Sequence, residues 1–267
     1  MVMGPTHAMS GAAAWLTGSA IAASFGVEQT AAELAVGTIA CAGAALFPDI
    51  DCAGKVTTNK GGSTVARAFG PASMIVAEGA ERVAYWFYLL TKTKKDRKRK
   101  NGHRTLTHTL MFSVLMGILT GWLAARFGKP AVIAILFVLT GLAVRGLMAT
   151  TVKKKGWIVT TLASVACAYG MFHLLEPGRS YWVLGLAMGV GCVIHIFGDM
   201  ITKQGSPLLF PVPFNGKVWH NLGLPRAVAL RAGGKRETRY VMPALTVVVV
   251  LGWLWHLPEV QQMVTGA

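Results

Sequence analysis

The sequence predicts an all-α, polytopic helical membrane protein of about seven transmembrane helices with one additional interfacial amphipathic helix. Three observations carry this. Of 267 residues, 53% are apolar and only 14% charged, whereas a soluble domain carries roughly 25% charged residues. Apolar stretches of spanning length recur along the chain, which has room for about seven at ~20 residues each plus loops. The 26 Lys and Arg, against 11 Asp and Glu, gather mostly in the connections between those stretches. A disordered chain and an ordinary cytosolic enzyme are both excluded, and residues 1–267 read as a single membrane domain.

Six stretches are predicted to span: 12–27, 31–47, 109–125, 131–150, 157–175 and Tyr181–Met200. A seventh, 241–257, is the most uniformly apolar, with the run VVVVLGWLW. The first two are at the short end of the ~17–25 residue range. No Lys or Arg precedes Ala12, so the start lacks the charged region of a secretory signal, and the first span is expected to be retained. Residues 72–91 are apolar and aromatic but include Glu78, Glu81 and Arg82. A charge at a span's centre costs at least ~2.5 kcal/mol, so an amphipathic helix lying at the interface is the expectation.

Loop charge fixes the orientation. Residues 92–104 carry eight basic residues, 152–156 three, 201–240 seven and 47–70 three. If 72–91 does not cross, these fall together on one side, leaving only Arg126, Lys129 and Arg179 opposite. Positive loops favour the cytoplasm, so the basic side is expected inside and the C-terminus outside. The run KTKKDRKRKNGHR then reads as a topology anchor attracting anionic headgroups at ~1 kcal/mol per basic residue. It lacks the interleaved aromatics of a nucleic-acid surface, and no nucleic-acid partner is expected. Cys41, Cys52, Cys167 and Cys192 show no CxxC spacing and read as small apolar residues.

With this topology His7, Asp49, Asp51, His103, His108, His195 and Asp199 all fall at the cytoplasmic ends of helices or beside them. His173 and His256 lie near the outer ends, roughly 30 Å away, while His220 in the long inner loop is within reach. Four motifs carry the group. Thr6-His7 precedes the first span. In Pro48-Asp49-Ile50-Asp51 proline ends the second helix, and two carboxylates two residues apart can turn to one cation where the chain is irregular. In His103-Arg104-Thr105-Leu106-Thr107-His108 two imidazoles can face one point, with Thr105 or Thr107 capping the next helix and His108 in its first turn. His195 and Asp199, at i and i+4, share one face of a helix. An intramembrane His–Asp pair is a functional candidate by default.

His and Asp ligands suit zinc best, with manganese or iron also accommodated, rather than calcium. Seven candidate ligands exceed the needs of one zinc, so two metals, or one metal and a general base, are both open. Arg104 beside them has the fork that matches phosphate oxygens.

At these residues the chain resembles the YdjM-like family of bacterial inner-membrane-associated proteins, to which metal-dependent hydrolase chemistry is ascribed. The resemblance rests on Thr6-His7, PDID (Pro48 to Asp51), HRTLTH (His103 to His108) and HIFGDMITKQGSPLLFP (His195 to Pro211). It implies a helical membrane protein whose metal site comprises His7, Asp49, Asp51, His103, His108, His195 and Asp199, supported by Arg104, Thr202 and Gly205. The basic run and the last span fall outside it.

The functional expectation is a divalent-metal hydrolase at the cytoplasmic membrane surface, acting on an ester or phosphoester of a lipid or amphiphile, with Asp51 as base and Arg104 at the substrate. A cation-coupled transporter, or a membrane protein with a structural metal site, are the alternatives. Residues 205–240, with four prolines, are long for a structureless loop. They are expected to form an interfacial lid whose Phe210, Phe214 and Trp219 touch lipid.

Overall fold

The computed structural model describes residues 3–55, 60–61, 65–175 and 179–265. Nine helices follow in order among these: α1 Gly4–Ser24, α2 Ala31–Ala44, α3 Pro71–Thr91, α4 Leu110–Phe127, α5 Lys129–Leu147, α6 Ala149–Leu174, α7 Arg179–Met200, α8 Met242–Trp255 and α9 Pro258–Thr265. The described strands are a two-residue antiparallel pair, β1 Gly54–Lys55 and β2 Lys60–Gly61. Parts of the 47–70 connection, and residues 176–178 before α7, lie outside the described residues.

Six helical stretches are long and apolar enough to cross a bilayer: Ala31–Asp51, Leu110–Phe127, Lys129–Leu147, Gly156–Leu174, Tyr181–Met200 and Glu237–Trp255. The first predicted span, 12–27, falls on α1, which has 21 residues, about 30 Å at 1.5 Å per residue. It is not among the six, because Thr6, His7, Ser10, Thr17 and Ser19 dilute it. It starts at Gly4, not near Ala12, which puts His7 inside the helix rather than ahead of it. Its Trp15, Leu16 and Ala12 are nevertheless buried, packed among α2, α5, α7 and α8.

Glycines let the helix backbones meet. A Cβ on Gly185 of α7 would sit 2.7 Å from both the Gly117 carbonyl oxygen and the Gly121 Cα of α4. Small residues four apart on each helix (Gly117 and Gly121, Gly185 and Gly189) are what membrane helices use for such approach. Gly191 likewise places α7 on α2, where a Cβ would lie 2.7 Å from the Cys41 carbonyl oxygen, and Gly11 places α1 against the same carbonyl at 2.5 Å. α7 is therefore seated against both α2 and α4, and one end of these helices gathers in one place.

That end is set by local signals. α2 opens with a reciprocal cap, Thr30 accepting from the Glu33 amide and Glu33 from the Thr30 amide, and closes into the 3-10 turn Phe47–Asp51 containing Pro48. α4 is capped by Thr109, whose hydroxyl accepts from the Phe112 amide. This corrects the expectation for Thr105 or Thr107: neither caps, and His108 ends the 3-10 turn Leu106–His108 ahead of α4. A second 3-10 turn there lets His108 turn inwards before the helix begins.

α3 packs on the Phe47–Asp51 and Leu106–His108 turns and bridges the end of α2 to the start of α4; it is not among the six apolar stretches. Met74, Ala77, Ala84 and Tyr88 point in, while Ile75, Val83, Trp86 and Leu90 are exposed. Exposed apolar side chains beside Glu78 and Arg82 agree with the amphipathic helix expected over these residues.

The 205–240 segment departs from expectation at two aromatics. Phe210 and Trp219 do not touch lipid: they are buried, stacked on one another with centroids 4.0 Å apart and set edge-on to Phe87 of α3. Aromatic surface of this size gains more from mutual burial than from a half-wet interface. Phe214 is exposed. Asp96 ties this segment to the basic loop by accepting from the amides of Thr93 and Trp219 at 2.8 and 3.0 Å. These bonds outweigh burial and hold its carboxyl below the usual carboxylate range.

Candidate metal centre

Four pieces of chain converge at the gathered end: the first turns of α1, the turn after α2, the turn before α4, and the last turns of α7. They bring together all seven predicted His and Asp residues. Asp49, Asp51, His103 and His108 form one group and His7, His195 and Asp199 another, each with ligand atoms within 4.8 Å of one another. His7, Asp51, His108, His195 and Asp199 have no accessible surface, and Asp49 is buried as well.

The groups abut at His108. Its Nε2 lies 3.2 Å from His195 Nε2, 3.4 Å from Asp199 Oδ2 and 3.8 Å from Asp49 Oδ1. His195 Nε2 is 3.6 Å from Asp49 Oδ1 and 3.8 Å from Asp199 Oδ2. Four donors around a tetrahedral cation at ~2.0–2.2 Å are separated by about 3.3–3.6 Å, close to these spacings. His7 stacks on His195 with ring centroids 3.9 Å apart and puts its Nε2 3.7 Å from Asp199 Oδ1.

Hydrogen bonding around the donors aims them at a shared point. The carbonyl of Ala45 takes the Nδ1 proton of His195 at 2.8 Å, leaving Nε2 as the ligand atom. Thr107 donates its hydroxyl proton to Asp51 Oδ2 and accepts from His108 Nδ1 at 2.9 Å, which fixes His108 in the same tautomer. Both rings thus have the outer bond that metal-binding histidines carry. Meanwhile both nitrogens of His7 and Oδ2 of Asp199 are buried without a hydrogen-bond partner among the described residues, an arrangement costly for polar atoms. Borderline nitrogen and carboxylate donors held this way fit a divalent first-row cation.

Asp51 and His103 stand slightly apart. Asp51 Oδ1 is 2.7 Å from His103 Nδ1, and Oδ2 accepts from Thr107 and, at 3.2 Å, from the Arg104 amide. His103 is the member of the set that reaches the surface, 18% exposed. Arg104 is itself buried: Nη2 pairs with Asp199 Oδ1 at 2.6 Å and Nη1 donates to the Gly205 carbonyl at 2.9 Å. Its φ of 58° is left-handed, a cost of ~1–3 kcal/mol offset by these bonds on both ends. Gly205 itself has φ 65°, and a Cβ there would meet the Leu222 carbonyl oxygen at 2.4 Å. Thr202 donates to the Asp199 carbonyl at 2.7 Å.

Burial by itself would make His108 harder to protonate. The charge of Asp51, together with the Asp199 carboxylate 3.4 Å from Nε2, outweighs it and pushes the pKa up to about 9. His220, expected within reach, instead lies against Phe214 and joins neither group. His256 contacts the Leu16 carbonyl and His173 packs on Tyr169.

Two supporting roles are not legible in the sequence. Thr107 figures there only as a cap, though its place directly before His108 is the signal for its orienting role. Glu237 is buried and accepts from the Met3 amide at 2.6 Å, the Thr6 hydroxyl at 2.7 Å and the Gly233 amide at 2.7 Å. A carboxylate there suits the positive end of α1 and pins the turn that carries His7. Its signal is being the lone acid among the seven basic residues of 201–240.

Comparison with curated proteins and with solved structures finds no match. The sequence itself matches the family described as YdjM inner membrane protein over residues 1–259, which spans every segment of the candidate centre and, contrary to the expectation from the motifs, takes in the basic run and the last span. Six apolar spans, four converging His/Asp motifs and this match lead to one conclusion: the chain is an integral membrane protein belonging to the YdjM inner membrane protein family.

Proposed function

We propose that the protein is a metal-dependent hydrolase working at the cytoplasmic face of the inner membrane on an ester or phosphoester of a lipid or amphiphile. The observation that carries this is the division of labour in the site: buried donors of the two groups meeting at His108 and His195, 3.2–3.8 Å apart, beside an Asp–His pair whose histidine reaches the surface. Asp49, His108, His195 and Asp199 would hold the cation, zinc by donor type, with His7 flanking them. When bound, the metal supplies a polarised scissile oxygen and a water of lowered pKa.

The chain's own residues do the rest. Asp51 accepts from His103 Nδ1 at 2.7 Å and orients that partly exposed ring, which would take a proton from water and return it to the leaving group. This moves the base from Asp51, both of whose oxygens are engaged, to the histidine it orients. Arg104 neutralises Asp199 and keeps the net charge near the donors compatible with an anionic substrate. An apolar groove of about 370 Å³ beside the start of α4, lined by Leu110, Met111, Leu208, Leu209 and Phe210, suits an acyl chain. Leu110 donates its amide to Leu208, two residues from His108.

Elemental analysis of detergent-purified protein, with hydrolysis of phospholipids and soluble phosphoesters, tests the reading. Near-stoichiometric metal is expected, lost in the double variant Asp49→Ala/His195→Ala together with activity. His103→Gln is expected to keep the metal and lose turnover. Wild-type protein fully active without metal would end the proposal.

A further inference from the structure

On the far side of the turn that follows α7 is a second feature. A pocket of about 640 Å³ is bounded by Lys203, Arg226, Arg231, Lys235 and Arg236. None of the five has an ion-pair partner among the described residues, and residues 200–236 contain no Asp or Glu. Five cations facing one cavity repel one another, and an anion in the cavity converts that repulsion to attraction.

The pocket's level in the bilayer is fixed from both sides. Lys203 is three residues beyond the end of the span Tyr181–Met200, and Arg236 directly precedes the span Glu237–Trp255. Residues at the ends of spans lie among lipid headgroups. Tyr240 is 69% exposed one turn into the second span, as interfacial tyrosines are, and exposed Val228 and Leu224 flank the basic wall. Arginine forks match phosphate oxygens in pairs.

We infer that this pocket binds the phosphate of an anionic lipid headgroup, at a site separate from the metal centre and from the basic loop 92–104. Glu237 joins it to the centre: one oxygen accepts from Gly233 in the pocket wall and the other from Met3 and Thr6 at the start of α1. The inference does not depend on turnover at the metal.

The test uses the full chain in phosphatidylcholine nanodiscs, titrated with short-chain phosphatidylglycerol and, in a second arm, with inorganic phosphate. Saturable lipid binding is expected in wild type. Arg226→Gln/Arg231→Gln/Lys235→Gln should weaken it about a hundredfold, at ~1 kcal/mol per basic residue, while metal content stays unchanged. Lys94→Gln/Lys98→Gln/Lys100→Gln in the basic loop should leave saturable binding intact. Equal loss in both triple variants, or none in the first, would overturn the site as diffuse surface charge. Saturable inorganic phosphate without lipid binding would overturn the headgroup in favour of a soluble phosphate.

Discussion

Nε2 of His108 and Nε2 of His195 face one another across 3.2 Å, with both Nδ1 atoms already committed, to Thr107 and to the Ala45 carbonyl. Two lone pairs cannot hold that approach unless a proton or a cation lies between them. The metal-free centre answers with a proton on His108; a divalent ion with two carboxylates alongside answers it better.

Thr107 is the link that gives His108 its tautomer. Thr107→Val keeps shape but loses the hydroxyl, and metal affinity is expected to fall about 10–100-fold, the usual effect of losing such an outer partner. Thr107→Ser restores it. Competition against a chelator reads both; unchanged affinity in the valine variant would remove Thr107 from the centre.

The elevated pKa of His108 sets a pH dependence. Below about 9 the metal displaces a proton from this ring, so apparent affinity rises roughly tenfold per pH unit on that account. Calorimetry in buffers of different ionisation enthalpy should show proton release near neutral pH. In metal-free protein the sign reverses: the folded pKa exceeds the unfolded ~6.5, so this contribution to stability is complete below 6.5 and lost as pH rises through 9.

Glu237→Ala leaves the Met3 amide, the Thr6 hydroxyl and the Gly233 amide without their buried acceptor. A destabilisation of about 3 kcal/mol is expected, read by thermal unfolding in detergent, together with weaker metal binding because His7 follows Thr6. Stability loss with untouched metal affinity would confine Glu237 to a structural role.

Gly185→Leu drives a side chain into the Gly117–Gly121 face of α4. Overpacking of this kind costs about 1–3 kcal/mol, and since His108 lies in the turn directly ahead of α4 and α7 carries His195 and Asp199, metal should be lost with the packing. Leu162→Ala, on an exposed face of α6, is the control expected to leave metal content unchanged.

The topology is checked separately. α8 leaves the end that holds the centre and crosses, so a reporter active only outside the cytoplasm should be active when fused after residue 265. One fused within 92–104 should be silent. The opposite pattern would place the centre outside.

Periodicity made most of the architecture legible: six of the seven predicted spans coincide with the six apolar helical stretches, and residues 72–91 form the separate helix α3. Single-residue conformations escaped. Nothing in Thr105-Leu106-Thr107 shows that the chain makes a separate 3-10 turn before α4, since each threonine is an equally good cap. Phe210 and Trp219 read as lipid-facing because an aromatic's partner, here α3, is a tertiary fact. The His and Asp residues were visible because ionisable groups are costly in apolar surroundings, whereas Thr107 and Glu237 required knowing which atoms they reach.

The donors arrive from positions as far apart as 7 and 199, and the last of them end α7. During synthesis, then, no earlier intermediate possesses the full donor set, and a cation bound as proposed would be taken up only after insertion of the helix ending at Met200. Metallation would thereby report, inside the cell, that the polypeptide has been threaded into the bilayer correctly.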